Sequence, residues 1–230
     1  SGGPVAEVIV ALDVGSAREA LELVDQLPGL GWAKVGPVLF VREGPALIGE
    51  LEGRGVRVFL DLKWHDIPST VAEAVRGAQG LGVKLATVHA LGGRAMLEAA
   101  VQAAGQMRLA AVTVLTSHSP GGYWDTVGRT GEPDVAAEVE RLARLAVDSG
   151  VGAVVTSPRE VAAVREISGP DRWLVVPGIR PAGSAADDQR RTADPAAAVA
   201  AGATHLVVGR PITRAENPRA VYDGIVEAAS

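Results

Sequence analysis

The chain has 230 residues, of which 47% are hydrophobic and 21% are charged, and its formal net charge is −5 at pH 7. The negative charge, without a basic patch that carries interleaved aromatic residues, argues against a nucleic-acid-binding protein, and the absence of cysteine excludes disulfides and thiolate metal sites. No apolar run approaches the length of a membrane-spanning helix, and the Ser-Gly-Gly-Pro start indicates that residues 1–6 are a flexible leader. The sequence therefore predicts a single domain over 1–230 in a soluble, cytoplasmic protein.

Eight short apolar segments alternate along the chain with helical patterns, and no linker interrupts them. Trp, Tyr and Phe are scarce, so the core must be built from Val, Leu, Ile and Ala, which suits buried parallel strands covered by Ala-rich helices. The predicted strands are Val8–Val14, Trp32–Val35, Val56–Asp61, Leu85–His89, Leu109–Leu115, Ala153–Val155, Trp173–Val176 and His205–Val208.

The segments between the strands carry helix start and stop signals. Residues 16–19 form a capping box, and residues 157–160 repeat that pattern with proline at the first helical position. Asp194-Pro195 and Asn217-Pro218 start the last two helices in the same way. Glycines stand where helices should stop, at Gly29, Gly53, Gly55, Gly82, Gly150 and Gly202. Eight strand-then-helix units predict an α/β fold, the (β/α)₈ TIM barrel, with a doubly wound open sheet as the alternative.

A barrel of this kind carries its chemistry just after the strands, at their C-terminal ends. Charged and hydroxyl residues of this chain do follow the strands, whereas the opposite connections hold glycine and small polar residues. The residues that follow or end strands are Asp13, Lys34, Asp61, Lys63, His89, Thr116, Ser117, Ser119, Pro177–Arg180, Gly209 and Arg210. This asymmetry predicts an enzyme.

The stretch Phe59–Thr70 places three charged groups at the spacing D-x-K-x-x-D. Side chains two apart in a strand share a face, so Asp61 and Lys63 point the same way. Pro68 ends the strand, and Asp66 is therefore expected to point across the mouth of the site or toward a neighbouring chain. A simple strand-end salt bridge is the alternative interpretation of the Asp61–Lys63 pair.

Four of these residues, Asp13, Lys34, Asp61 and Lys63, are expected to alternate in charge around the barrel mouth. Such a ring could be a self-satisfied structural network, but four charged groups are costly in a core, and functional sites are where that cost is usually found. A lysine between carboxylates is expected to stay protonated. Lys63 is therefore a candidate proton donor rather than a Schiff-base nucleophile, which needs a neutral amine.

The ends of the last two strands predict a phosphate site. Gly209 lets the backbone approach an anion, and Arg210 supplies a planar guanidinium for its oxygens. Arg180 and Gln189 could close over the same anion from the other side. A rim salt bridge is the alternative interpretation of Arg210.

The histidines predict little by themselves. His89 ends a strand and is expected to be a hydrogen-bonded residue that supports the site, with a catalytic base as the alternative. His65, His118 and His205 lack metal-ligand spacing, so no metal is expected, although barrel ligands can come from separate strands. The Gly-rich stretch 118–133 is long enough for a lid, or it is an ordinary surface excursion.

Taken in order, several motifs resemble those of the orotidine 5′-monophosphate decarboxylase family over essentially the whole chain. They are Ala11–Asp13, the Lys34 strand, Asp61–Thr70, Val88–Gly93, Leu115–Ser117, Pro177–Arg180, Asp187–Gln189 and Val208–Ile212. The resemblance implies a (β/α)₈ barrel that uses neither metal nor organic cofactor. It also implies a homodimer with both active sites at the interface and a small-molecule nucleotide as the substrate.

The resemblance assigns roles where the motifs match. Asp13 and Lys34 are expected at the ribose hydroxyls, with Lys34 also joining the charged network, Asp61 at the substrate carboxylate, and Lys63 as the proton donor. Asp66 and Thr70 are expected to reach the partner subunit's site, and Asp66 belongs to the catalytic set with Lys34, Asp61 and Lys63. Arg180, Gln189, Gly209 and Arg210 are expected at the phosphate, Thr116 or Ser119 at the pyrimidine, and Ile67 and Pro177 as further substrate-binding positions.

Two departures from the family pattern stand out. Ser69 occupies a position where asparagine is expected, which is a peripheral change, and the run 117–122 differs among branches of the family. The second departure leaves the choice between Thr116 and Ser119 open.

The implied reaction is decarboxylation of orotidine 5′-monophosphate to UMP in pyrimidine synthesis. One rival is a metal-dependent sugar-phosphate decarboxylase or synthase of the same suprafamily, which shares the D-x-K-x-x-D strand. Another is a non-catalytic barrel that binds a phosphate ligand. The last is disfavoured because simple binding does not need a lysine between carboxylates.

Overall fold

The computed structural model describes residues 5–181 and 193–230 of the chain. Its strands are β1 (Glu7–Ala11), β2 (Trp32–Val35), β3 (Arg57–Trp64), β4 (Leu85–His89), β5 (Arg108–Val112), β6 (Ala153–Val155), β7 (Trp173–Val176) and β8 (His205–Val208). They pair in parallel and in sequence order, and β8 returns to pair with β1, which closes the sheet into a barrel. The predicted (β/α)₈ barrel is therefore confirmed, and the open sheet is excluded.

Five of the eight strands have the predicted bounds, and the differences lie in β1, β3 and β5. β1 and β5 end three residues earlier than predicted, at Ala11 and Val112, because the residues beyond them turn into loops. β3 instead continues past Asp61 to Trp64, with a register shift against β4 between Leu60 and Trp64. The irregular part of β3 is thus the part that carries the D-x-K spacing.

Helices follow the strands around the outside of the barrel. In the described residues they are α1 (Ala17–Asp25), α2 (Pro37–Gly53), α3 (Pro68–Gly80), α4 (Gly93–Ala103), α5 (Pro120–Thr126), α6 (Val135–Asp148), α7 (Val161–Ser168), α8 (Pro195–Ala200), α9 (Arg210–Thr213) and α10 (Pro218–Ala228). α2 has one non-helical residue, Gly44, directly before Pro45, whose ring and missing N–H break the helical hydrogen bonding.

Three of the four predicted helix starts are confirmed. The side chains of Ser16, Asp194 and Asn217 each accept a backbone N–H from the first turn of their helix. The predicted capping box at Ser157 is wrong, because residues 158–160 form a turn and α7 begins only at Val161. Ser157 lies two residues after Val155, which faces into the barrel, and Ser157 is itself buried. Its side chain therefore does not reach the start of α7.

The core has two layers, which the alternation of each strand produces. Outward residues pack against the helices, and inward residues fill the barrel as in other barrels of this type. The inward set comprises Ile9, Ala11, Trp32, Phe59, Leu85, Ala110, Ala153, Val175 and Val207.

An aromatic cluster closes the N-terminal end of the barrel. The ring of Trp173 lies 4.2 Å from that of His205 and 6.0 Å from that of Trp32, measured between centroids. The guanidinium groups of Arg57 and Arg108 cover the two indoles, at 4.6 and 4.3 Å. Within the described residues, the N-terminal end of the barrel is therefore filled by side chains.

The two ends of the described chain meet beside the barrel. Ala6 is buried, and its N–H donates to the carbonyl of Ala229 at 2.9 Å. Ala6 therefore packs with the barrel rather than with the leader in which the sequence analysis placed it. In the described ranges, no helix has both the length and the apolar character that a membrane crossing requires.

Candidate active site

The inward alternation of β2 and β3 carries charged groups into the C-terminal end of the barrel. Lys34 lies two residues after Trp32, and Asp61 lies two residues after Phe59, so both charges continue rows whose first members are buried inside the barrel. Lys34 and Phe59 are register partners on the two paired strands. This pairing brings the Lys34 ammonium and the Asp61 carboxylate to the same point.

Asp61 is the centre of the charged cluster. It is 6% exposed, and its Oδ1 and Oδ2 lie 3.0 and 2.9 Å from Nζ of Lys63. Nζ of Lys34 lies 3.4 Å from Oδ2 on the other side. Burial alone would raise the pKa of Asp61, but the two ammonium groups and the hydrogen bonds to the carboxylate outweigh it, so this pKa lies below its ordinary value. Asp61 is thus an ionised carboxylate held between two lysines.

Thr87 is a third contact of Asp61 that the sequence analysis missed. Its hydroxyl donates to Oδ1 of Asp61 at 2.8 Å and accepts the backbone N–H of Lys63 at 2.9 Å. The signal was present, because Thr87 stands between Leu85 and His89 on the inward alternation of β4. A threonine alone in an apolar strand is common, however, and nothing local marks it as part of a site.

The backbone of Lys63 is unusual. Its φ is +51°, the sole positive φ of a non-glycine residue among 5–181 and 193–230. This left-handed conformation costs an L-residue roughly 1–2 kcal/mol, and strain of this kind tends to occur at functional sites. It accompanies the register shift between β3 and β4 at Leu60 and Trp64.

A cavity of about 190 Å³ opens at this end of the barrel beside the charged cluster. Its polar lining includes Lys34, Asp61, Lys63, Thr113, Thr116, Thr156 and Ser157. Pro177 lines it as well, together with apolar residues such as Phe59 and Val207. The hydroxyl of Ser157 is buried and has no hydrogen-bond partner in the described structure. The cavity thus joins an apolar wall to a wall that carries charges and hydroxyls.

Of the two candidates for the pyrimidine, the cavity includes Thr116 and not Ser119. Ser119 is the N-cap of α5, where its hydroxyl accepts the N–H of Gly122 at 3.1 Å. The stretch 118–133 therefore contains a short, capped helix, and Tyr123 of that helix is buried.

Asp13 does not join the cluster of Lys34, Asp61 and Lys63, so the structure gathers three of the four charges expected in a ring. Asp13 is exposed because β1 has already ended at Ala11, and it lines a neighbouring open cleft of about 660 Å³. A β-carbon placed on Gly209 would lie 3.5 Å from Oδ2 of Asp13, so these two residues are adjacent across the β1–β8 pair.

The residues expected at a phosphate follow two neighbouring strands, β7 and β8. Arg180 is half-buried, and its backbone N–H donates to the carbonyl of Ala193 at 3.1 Å. Gly209 precedes α9, and Arg210 is the first residue of that short helix. Gln189, the remaining member of the set, lies outside the described residues.

Asp66, Ile67 and Thr70 lie on the rim between β3 and the first turn of α3, and all three are exposed. Oδ1 of Asp66 accepts the backbone N–H of Ile67 at 2.6 Å. None of the three lines the barrel-mouth cavity. This placement agrees with the expectation that Asp66 points away from its own strand's face.

His89 differs from the expectation of a hydrogen-bonded support. Its Nδ1 is buried without a hydrogen-bond partner in the described structure, and its ring lies 5.4 Å from that of His65. Burial lowers the pKa of His89, and the neighbouring His65, Lys63 and His118 act in the same direction. The ring is therefore neutral near pH 7. Within 5–181 and 193–230, no three His, Asp or Glu side chains come together as a metal-binding group.

Comparison with known proteins places this geometry in context. A family model described as orotidine 5'-phosphate decarboxylase / HUMPS family matches residues 6–225. Proteins named orotidine 5'-phosphate decarboxylase from Halorhodospira halophila and Alkalilimnicola ehrlichii are each 54% identical to this chain. The first match covers 95% of this chain and 93% of the relative, and the second covers 93% and 92%. The crystal structure of orotidine 5'-phosphate decarboxylase from Lactobacillus acidophilus is similar with a TM-score of 0.87 and 36% identity, over 98% of this chain and 99% of that one.

Proposed function

Because the chain belongs to the orotidine 5'-phosphate decarboxylase / HUMPS family, we propose that it decarboxylates orotidine 5′-monophosphate to UMP, with Lys63 as the proton donor. The relatives that are about half identical over nearly their whole length carry this activity in their names. Such a reaction makes the protein a carboxy-lyase of pyrimidine synthesis. We place it in the cytoplasm, as the composition suggests.

The observation that carries the proposal is the Lys63 ammonium, held against both oxygens of the buried Asp61 beside the barrel-mouth cavity. Loss of CO₂ from C6 of the pyrimidine leaves a lone pair in the ring plane, where the π-system cannot delocalise it. An ammonium next to that carbon stabilises the developing charge and then supplies the proton. Lys63 meets both requirements because it carries the charge and the proton on one atom.

Asp61 and Lys34 complete the charged cluster. The depressed pKa of Asp61 keeps it ionised, so it repels a substrate carboxylate placed beside it. It also holds the Lys63 ammonium, which protonates the carbon once CO₂ has left. Loss of CO₂ relieves the repulsion, which favours the transition state over the bound substrate. Lys34 lies 3.4 Å from the same carboxylate and is half-buried at the mouth, where it can also bind a ribose hydroxyl with Asp13.

The rest of the substrate extends from the cavity toward β7 and β8. Thr116, which lines the cavity, contacts the pyrimidine in this proposal, and Ser119 is left to cap α5. Arg180, Gly209 and Arg210 bind the phosphate together with Gln189, which lies outside the described residues. Binding energy from the phosphate fixes the orientation of the distant reacting carbon.

We further propose a homodimer in which Asp66 and Thr70 reach the partner's site. Both residues are exposed on the rim, and three large apolar side chains of the same part of the fold, Val38, Val41 and Ile67, are 65%, 84% and 62% exposed. Apolar side chains exposed on neighbouring segments are typical of a surface that another chain covers.

Mixing two inactive variants tests the shared site. Lys63→Ala and Asp66→Ala subunits, each inactive alone, should recover activity when mixed, because a mixed dimer contains one site with both residues intact. A monomeric protein, or two variants that stay inactive after subunit exchange, contradicts the shared site.

The activity itself is tested by incubating the purified protein with orotidine 5′-monophosphate and following the ultraviolet change. Lys63→Ala should lower kcat by about 10⁴-fold, because both the electrostatic and the proton-transfer contributions are lost. Lys84→Ala is the matched control, since Lys84 pairs with Glu52 on the outer surface and should leave kcat unchanged. A wild type without turnover refutes the proposed function, and an active Lys63→Ala variant refutes the proton donor.

The metal-dependent sugar-phosphate enzymes of the same suprafamily are the nearest rival. Full activity toward orotidine 5′-monophosphate after exhaustive chelation is expected, because the proposed stabilisation comes from lysine. Strict dependence on an added divalent cation favours the rival. Ligand binding without product formation favours a non-catalytic barrel.

A further inference from the structure

The position of the Lys63 ammonium depends on a backbone conformation that the residue does not adopt by itself. The strand residues around it are extended, whereas Lys63 has a φ of +51°. In a regular strand, β3 would keep its register with β4 through Trp64, but the pairing shifts between Leu60 and Trp64. Some interaction from outside β3 must therefore hold this residue in place.

Thr87 of β4 supplies that interaction. A hydroxyl has one proton to donate and two lone pairs to accept with. The Thr87 hydroxyl uses its proton on Oδ1 of Asp61, at 2.8 Å, and accepts the N–H of Lys63, at 2.9 Å. Thr87 is 1% exposed, so water cannot take the place of either hydrogen bond. One oxygen atom thus connects the carboxylate of Asp61 to the backbone of Lys63.

We propose that Thr87 is a positioning residue of the active site, which holds the left-handed backbone of Lys63 so that its ammonium lies against both oxygens of Asp61. This role rests on the proposed function, because the aligned Lys63 ammonium is taken to deliver a proton to the reacting carbon. Thr87 touches no substrate in this proposal. It acts only through Asp61 and Lys63.

Two substitutions separate the hydroxyl from the shape of the side chain. Thr87→Val keeps the volume and branching but loses both hydrogen bonds, and Thr87→Ser keeps the hydroxyl but loses a methyl group. The valine variant should lower kcat by about 100-fold, the typical cost of a misplaced reacting group, with the KM for orotidine 5′-monophosphate nearly unchanged. The serine variant should recover most of the wild-type kcat.

The pH profile provides a readout that lost packing alone does not change. The Thr87 hydrogen bond is one of the interactions that hold the pKa of Asp61 down, after the charges of Lys34 and Lys63. Its loss favours the protonated carboxyl, so the acid limb of kcat should move to higher pH in Thr87→Val and stay in place in Thr87→Ser. Both lysines remain in the two variants and contribute equally.

Thr204→Val is the matched control. Its hydroxyl also bonds to the backbone of a neighbouring strand, accepting the N–H of Leu174 at 2.9 Å, but at the N-terminal end of the barrel. This variant should lose stability while its kcat and pH profile match the wild type. The proposal is overturned if Thr87→Val leaves kcat and the acid limb unchanged. It is also overturned if Thr204→Val or Thr87→Ser loses as much activity as Thr87→Val and shifts the acid limb equally.

A crystal structure of the Thr87→Val variant tests the positioning without any assay of activity. Lys63 should relax from its positive φ, and its Nζ should move away from Asp61. An unchanged φ and unchanged Nζ–carboxylate contacts overturn the role of Thr87. A wild-type protein that fails to decarboxylate the nucleotide refutes the proposed function instead, whatever the crystal structure of the variant shows.

Discussion

His205 should make the barrel sensitive to acid. It is 3% exposed and stacks on Trp173 at the closed end of the barrel. Its Nδ1 lies 2.9 Å from the hydroxyl of Thr204, while its Nε2 is buried without a hydrogen-bond partner in the described structure. An imidazolium at this position would bury a second N–H without an acceptor, so the folded protein keeps the ring neutral.

The size of the effect follows from the pKa. Burial lowers the pKa of His205 from 6.5 to about 4; Glu7 opposes this shift, and Arg57 and Arg108 reinforce it. Well above pH 6.5 the ring is neutral in both states and contributes nothing to the pH dependence. Between pH 6.5 and 4 the unfolded chain binds a proton that the folded chain does not, so stability falls as the pH falls. The loss is about 2.6 kcal/mol at about pH 4.5 and approaches about 3.4 kcal/mol at lower pH.

Urea unfolding at about pH 7.5 and about pH 4.5 measures this loss. His205→Phe keeps an aromatic ring against Trp173, and the Thr204 hydroxyl keeps its bonds to the Leu174 backbone. This variant should lose about 2.6 kcal/mol less than the wild type between the two pH values. His65→Gln, at an exposed histidine, is the control and should follow the wild type. The three proteins contain the same carboxylates, so equal acid losses in wild type and His205→Phe refute the reasoning.

Two further predictions concern other charged groups. Glu138 is 3% exposed and pairs with Arg129 at 2.8 Å and with Arg141, so Glu138→Gln should lower the free energy of unfolding by about 2 kcal/mol in urea titrations. Glu140→Gln disrupts an exposed pair on the same helix and should change the free energy of unfolding by less than about 0.5 kcal/mol. Equal effects of Glu138→Gln and Glu140→Gln contradict the importance of burial. Arg210→Ala should weaken the binding of UMP by about 10- to 100-fold and leave uridine binding nearly unchanged, because only the nucleotide carries the phosphate. Isothermal titration of both ligands tests this, and an equal loss for both removes Arg210 from the phosphate site.

Much of the candidate site could be predicted because it lies on the strand alternation. Lys34 and Asp61 continue the inward rows of Trp32 and Phe59, so a correct strand prediction already places both at the barrel mouth. The same rule applies to Thr87, which follows Leu85 by two positions. It was overlooked because its two hydrogen bonds reach residues 24 and 26 positions earlier in the chain.

Local patterns gave wrong expectations for two residues whose position depends on where a strand ends or which way it faces. Ser157 fits a capping box, but the inward alternation of β6 directs it into the cavity instead. Asp13 fits a ring of charges, but β1 ends before it and leaves it in the neighbouring cleft. In both cases the course of the paired strand, and not the short-range signal, decided where the side chain lies.

The sequence by itself determined the eight-unit barrel, the end that carries the chemistry, and the two lysines and the aspartate at its mouth. These follow from periodicities of two and about four residues and from caps, which are local properties of the chain. Only the tertiary structure decided the left-handed backbone of Lys63, the shift of β3 against β4, and the choice of Thr116 over Ser119 as a cavity residue. Each of these three features depends on hydrogen bonds or packing between segments that are far apart in sequence. The geometry of those contacts exists only once the barrel has closed, so the local sequence cannot specify it.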